Sequence, residues 1–389
     1  MDQHSNTSPR EPLFQQQSIR LTPPGREEER MNLEIFVPKD FNGAISIVRS
    51  GERLLEKGYG YADIPNRVPN RVDTRFATAS AGKVFVAVGI LKLIEEGRLS
   101  YDTTIGSVLK VDLKRIDRSV TVRQLLSHTS GVPDYFDETT MSEYSELWIN
   151  VPNYRIRKSV DLLPLFVDKP MMYSPGAKFH YNNAGFVLLG MMIEEVAKND
   201  FDNFLKSAVF DACGMQDTGY FELDRLPERC ANSYIHDPVR NEYYTNIYSV
   251  DAKGSGAGGA FTTIPDIGKF WNALLTFKLL SKGSVEEMFS VQSHQDDAYY
   301  GLGIWLDKTD CSGYMPYFQG SDPGVSFISY YDRTLELQLT IVSNKGDNVW
   351  KMKNEIVDEF RKLASTTTAS LRGKENSGRN LRPHRTSGD

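Results

Sequence analysis

The sequence predicts an α+β fold, one antiparallel β-sheet flanked by helices with a mainly helical second region between its strands. Three observations lead there. Strand-like runs at 43–49 and 54–61 flank a turn at Ser50-Gly51-Glu52 near the start of the chain. Short β-branched and aromatic runs recur near its end, at 301–306, 325–332 and 335–343. Between them, about 101–290, helical patterns alternate with loops rich in Pro, Asp, Tyr and Asn. Strands from both ends of a chain that enclose a helical middle belong to one sheet with an insertion.

Taken in order, residues 1–30 are rich in Gln, Arg, Glu, Ser and Pro and hold too little apolar surface to offset the entropy of ordering, so they are expected to form a disordered tail. The 43–61 hairpin follows. A helix is expected over 80–96, stopped by Gly97. Val84, Phe85, Val86, Val88, Ile90, Leu91 and Leu93 cover more than one of its faces, which marks it as buried. Helices are further expected over 184–197, 267–280 and, amphipathic, 348–363. The Ser/Thr cluster and basic residues of 365–389 read as a second disordered tail, which leaves 31–364 as one domain.

Composition narrows the function. A formal charge of −6 over 389 residues gives no reason to expect a nucleic-acid partner or an anionic membrane. Cys213, Cys230 and Cys311 are widely spaced, as plain thiols are, and no zinc-protease His-Glu-x-x-His occurs, so neither a metal nor another cofactor is expected. No run approaches the ~20 apolar residues of a membrane span, and the first 30 residues lack a basic start followed by an apolar run. A cytoplasmic protein acting on a small molecule is the expectation.

Two motifs carry chemistry. Ser80-Ala81-Gly82-Lys83 puts a hydroxyl and an amine one helical turn apart, where a buried lysine of depressed pKa helps take the serine's proton. Spacing alone does not single it out, since Ser107-Val108-Leu109-Lys110 repeats it. Its position does, because a lysine in so apolar a helix is costly without a purpose. The second is Tyr181-Asn182-Asn183 at a helix entry, where a phenol can relay a proton and an amide can position a lysine or a substrate carbonyl. Spacing equally allows a packed aromatic with Asn183 as helix cap, and Tyr244-Thr245-Asn246 is a decoy of the same form.

The blocks around these motifs resemble the family of class C β-lactamases, D-alanyl-D-alanine peptidases and related esterases. The likeness covers 74–83 with the helix to Leu99, the stretch 120–133, Ser174-Pro175-Gly176 through Tyr181-Asn182-Asn183 to Gly190, and Ala257-Gly258-Gly259 with Asp266, within about 40–345. It implies Ser80 as nucleophile, Lys83 and Tyr181 as the acid/base pair, and Asn183 as a positioning amide. His128 falls in a block that the family uses structurally. The family's third motif is a Lys or His, any residue, then Gly; its match is Phe318-Gln319-Gly320, so the cation is missing. In that alignment Gln319, Gly320 and Ser321 line the substrate site, and the Ser321 amide joins the Ser80 amide in an oxyanion hole. Lys345 reads as a loop lysine rather than a replacement charge.

Gly254-Ser255-Gly256-Ala257-Gly258-Gly259 fits the dinucleotide fingerprint formally, yet Pro265 follows too soon for a helix to open on those glycines, so a flexible turn near the cleft is expected. The expected protein is a serine hydrolase that cleaves an ester or amide through an acyl-enzyme on Ser80, with esterase-like preference because Phe318 removes the natural partner of a substrate carboxylate. The alternatives are a β-lactamase or D-amino-acid peptidase acting on β-lactams or short cell-wall peptides, and a non-turning-over binding homologue.

Overall fold

The structure, a computed structural model, describes residues 32–309 and 313–379. The expected tail at 1–30 and Cys311 lie outside them. Eight strands form one antiparallel sheet: β1 (Gly43–Arg49), β2 (Glu52–Tyr59), β3 (Ser293–Gln295), β4 (Ala298–Tyr300), β5 (Trp305–Thr309), β6 (Gly313–Asp322), β7 (Val325–Asp332) and β8 (Leu337–Ser343). Their order is β2-β1-β8-β7-β6-β5-β4-β3, so the N-terminal hairpin joins the C-terminal strands through β1 against β8, with Gly43 opposite Ser343 and Arg49 opposite Leu337.

Alternation along each strand divides the side chains between two cores. Ile45, Ile47, Ile328, Leu337, Leu339 and Ile341 share one core with Val349, Met352, Ile356, Val357 and Phe360 of the last helix. Ala44, Phe318, Phe327 and Val342 turn to the opposite face and join the main core. That core is built on helices α1 (Lys83–Glu95), α2 (Asn183–Ala197) and α3 (Ile264–Leu275). Ten of the thirteen residues of α1 are buried, so the Lys83 ammonium is held inside an apolar helix.

Several boundaries differ from the sequence expectation, each for a local reason. The helix expected from Ser80 begins instead as a 3₁₀ turn, Ala79–Gly82, and becomes α-helical at Lys83. Ala79 has φ +47°, a left-handed conformation that a continuous helix does not tolerate. Asn182, not Asn183, caps α2, its Oδ1 accepting from the Gly185 amide at 2.6 Å. Thr263 caps α3 with Pro265 in its first turn, which starts that helix earlier than expected. Residues 301–304 are irregular where a strand was expected; Gly303 has φ +73°, and the strand starts at Trp305. The last helix, α4, runs Val349–Arg379, so the tail expected from 365 starts inside a helix.

Phe360 is fully buried between α4 and the sheet. Phe360→Ala is expected to cost about 3–5 kcal/mol through the lost burial and the cavity it leaves, read as a lower midpoint in urea denaturation with an unchanged slope.

Candidate active site

Ser80 is held by a seam of close backbone contacts. A Cβ on Gly320 of β6 would lie 2.6 Å from both the Ser80 and Ala81 amide nitrogens, and a Cβ on Gly258, at φ +142°, would lie 3.1 Å from the Ser80 Cα and closer still to the Ala79 carbonyl. Only glycine fits at these two positions. The Ala260 carbonyl accepts from the Thr78 amide at 2.8 Å and the Ala79 carbonyl from the Gly259 amide at 3.0 Å. The glycine-rich segment is thus a tight turn packed on the Ser80 turn, at the cleft as expected, with β-structure at Phe261–Thr262 after it.

Lys83 Nζ has three partners: Ser80 Oγ at 2.9 Å, Asn183 Oδ1 at 2.8 Å and the Ala257 carbonyl at 2.6 Å. Burial lowers its pKa to about 8, against the opposing pull of Glu138, Asp134 and Asp322. A neutral amine has two hydrogens and one lone pair. Asn183 Oδ1 and the Ala257 carbonyl only accept, so they take both hydrogens and the lone pair is left for the Ser80 hydroxyl.

The Asn183 amide has a fixed orientation because its Nδ2 donates to Asp134 Oδ2 at 3.3 Å and to the Phe136 carbonyl at 3.2 Å. Asp134 also accepts from the backbone amides of Asn183 at 2.6 Å and Ala184 at 3.1 Å, at the positive end of α2. Burial raises the Asp134 pKa to about 6, and these backbone hydrogen bonds oppose the rise.

Tyr181 stacks on Trp305, with ring centroids 5.6 Å apart and planes 17° apart, and Lys83 Nζ lies 5.1 Å from its ring centroid. Burial holds its phenol's pKa well above the usual tyrosine value, against an opposing interaction with the Ser80 side chain. The group is therefore a protonated phenol at neutral pH. His128 supports Tyr181 from behind, ring centroids 4.5 Å apart. Its Nδ1 accepts from the Asn182 amide at 3.1 Å, and burial lowers its pKa well below the usual value, so it is a neutral structural residue.

β6 forms the neighbouring wall. Asp322 and Val325 close a two-residue turn at Pro323-Gly324, so they form a hydrogen-bonded pair and the next pair, Ser321 and Ser326, does not. The Ser321 amide consequently points away from β7, on the edge that β5 leaves open beyond Tyr317. The Gln319 side chain accepts from Trp350 Nε1 at 2.6 Å. Phe318 packs against Trp271 (5.3 Å between centroids), Phe270 (5.9 Å) and Phe327 (6.1 Å) and is buried in the core.

Ser80, Tyr181, Asn183, Gln319, Gly320 and Ser321 all line one cavity of about 900 Å³ between the sheet and the helical region. Ser107 instead bonds the Thr104 carbonyl, and Lys110 is an exposed partner of Glu195. The second decoy, Tyr244-Thr245-Asn246, lines the same cavity, with Asn246 Nδ2 donating to the Pro323 carbonyl at 2.8 Å. Lys345 is tied to the Asp40 carbonyl at 2.6 Å and to Asp347 at 3.7 Å, outside that lining. Sequence reasoning missed Asp134, Trp305 and the Ala257 carbonyl. Asp134 directly follows the Val132-Pro133 end of a recognised block, the one available signal.

A Beta-lactamase family model matches residues 39–359, and the chain belongs to that family. A penicillin-binding protein of Bacillus subtilis (strain 168) is 29% identical over 327 residues, covering 79% of this chain and 69% of its own length. Among solved structures, a penicillin binding protein from Bacillus halodurans superposes with a TM-score of 0.80 at 35% identity, over 84% of this chain and 99% of its own. The D-amino acid amidase from Ochrobactrum anthropi SV3, complexed with L-phenylalanine amide, gives 0.71 at 25% identity, over 88% and 99%. The protein is a serine hydrolase of the acyl-enzyme type.

The seam at Gly320 is testable without knowing the substrate. Gly320→Ala pushes a methyl into the Ser80 and Ala81 amides and is expected to slow labelling by a fluorophosphonate about 100-fold or more, as misplacement of a reacting group does, while circular dichroism still reports a folded protein.

Proposed function

We propose that Ser80 attacks the carbonyl of a small ester or amide that has no free carboxylate, with Lys83 as general base. The carrying observation is the three-partner arrangement of Lys83, which in the neutral form leaves its lone pair for the Ser80 hydroxyl. As the Ser80 Oγ bonds to the acyl carbon, its proton moves to Lys83 Nζ. The oxyanion is met by the amides of Ser80, in the first turn of a helix, and Ser321, on the open edge of β6. The tetrahedral adduct collapses as the Tyr181 phenol gives its proton to the leaving group and regains one from Lys83. Water then attacks the acyl-enzyme with Lys83 again as base, and as the acyl carbon–Oγ bond breaks Lys83 returns that proton to Ser80 Oγ, releasing the acid.

Asn183 holds Lys83 in register, and Gln319 and Gly320 form the strand wall along which the substrate lies. Phe318 supports the absence of a substrate carboxylate, since the position where the resemblance expects a cation carries an aromatic locked into the core. The relatives named as penicillin-binding proteins favour a second reading, hydrolysis of β-lactams or D-amino-acid peptides. Nitrophenyl acetate is expected to give a higher kcat/KM than a chromogenic cephalosporin; the reverse order favours the second reading.

Intact-mass measurement after treatment with a serine-reactive phosphonate is expected to show one adduct on the wild type and none on Ser80→Ala. Equal labelling of both, or of neither, contradicts the assignment. Protonated Lys83 cannot accept a proton, so activity is present above its pKa and lost as pH falls through it. The kcat/KM for nitrophenyl acetate is expected to rise with pH through an apparent pKa of about 8, and Lys83→Ala to lower it by about 10²–10⁴-fold.

A further inference from the structure

The wall of the catalytic cavity is one-sided in charge. Glu138, Glu143, Asp251 and Asp322 line it, and among the described residues no lysine, arginine or histidine does. The nearest cation is Lys83, buried beneath Ser80 and engaged with it. A substrate carboxylate entering this cavity meets like charge along its lining.

Asp322 is the acid best placed to meet a ligand. Phe318, Gly320 and Asp322 alternate onto one face of β6, and the Cβ that Gly320 lacks would point at the Ser80 amide. Two residues further, Asp322 lies about 6–7 Å along the strand from that contact. Its side chain is half-buried in the cavity wall, and its carboxylate has no hydrogen-bond or ion-pair partner among the described residues. Asp251 accepts from the Tyr144 hydroxyl at 3.0 Å and lies close enough to Asp322 to repel it. Burial raises both acids to about 7, with Asp251 and Glu138 adding to the rise at Asp322. Lys83 opposes the rise at Asp322 but is tied to Ser80, Asn183 and the Ala257 carbonyl, and an ammonium bound in the cavity adds the counter-charge that the two acids take up.

We infer that the acyl group of the substrate carries an ammonium ion a few bonds from the scissile carbonyl, held by Asp322 with Asp251 beside it; amino-acid esters and amides with a free amine are that class. The inference rests on the acyl-enzyme reading above. It also explains what replaces the missing carboxylate-binding cation: recognition is reversed in sign.

The test compares alanine p-nitroanilide, in both enantiomers, with its N-acetyl and N-succinyl derivatives, on the wild type and Asp322→Asn. In the wild type the better free-amine enantiomer is expected to exceed the N-acetyl compound in kcat/KM by at least about tenfold, the worth of a charged hydrogen bond, with the N-succinyl compound weakest. In Asp322→Asn the ratio of free amine to N-acetyl is expected to fall about tenfold or more, a readout that a general loss of folding does not produce. Preference for either blocked compound, or a ratio unmoved by Asp322→Asn, overturns the inference. So does failure to cleave every anilide while nitrophenyl acetate still acylates Ser80. If Ser80 is not acylated either, it is the acyl-enzyme reading that has failed, and this inference fails with it.

Discussion

Burying an unpaired ammonium costs several kcal/mol, and Lys83 sits in a helix with ten of thirteen residues buried. The rest of the site follows from how that cost is met. Two acceptors without hydrogens, Asn183 Oδ1 and the Ala257 carbonyl, come from segments 100 and 174 residues away and fix the direction of the amine. Burial drives the group towards neutrality, and neutrality turns the contact with Ser80 from a donated into an accepted hydrogen bond. Asp134 stands behind Asn183 and keeps its amide from flipping, while its own charge is met by the N-terminus of α2. The phenol of Tyr181, raised in pKa by the same burial, stays protonated.

The serine side depends on backbone approach rather than charge. Ala79 in the left-handed region lifts Ser80 out of the helical path, and such a conformation persists only when neighbours enforce it. Here Gly258 and Gly320 press on it from a loop and from the sheet. The same contact packs Ser80 against Gly320 of β6, so one geometric constraint positions both the proposed nucleophile and the strand edge that carries the Ser321 amide.

How much of this was legible in the sequence depends on the range of the forces. The buried helix, its Ser80-to-Lys83 spacing and the Tyr181-Asn182-Asn183 turn are local, and periodicity with the resemblance to known relatives exposed them. The hairpin at β1 and β2 and the C-terminal strands were equally readable, because alternation is a property of each strand alone. The 3₁₀ turn at Ser80 was not, since Ala79 takes its φ from glycines on distant segments. Nor was the choice of Asn182 over Asn183 as cap, which turns on Asp134 claiming the Asn183 amide. The irregular 301–304 segment was read as a strand because its apolar residues fit one, while Gly303 at φ +73° breaks it. The acidic cavity was invisible, as Glu138, Asp251 and Asp322 meet only in three dimensions.

The most direct test of the account is the titration of Lys83 itself. In protein labelled with ¹³C at lysine Cε, NMR is expected to show one lysine titrating near 8, well below the ordinary 10.5, and that resonance is expected to vanish in Lys83→Arg. If the resonance lost in Lys83→Arg titrates near the ordinary 10.5, the amine is a cation throughout the working range and cannot be the base for Ser80.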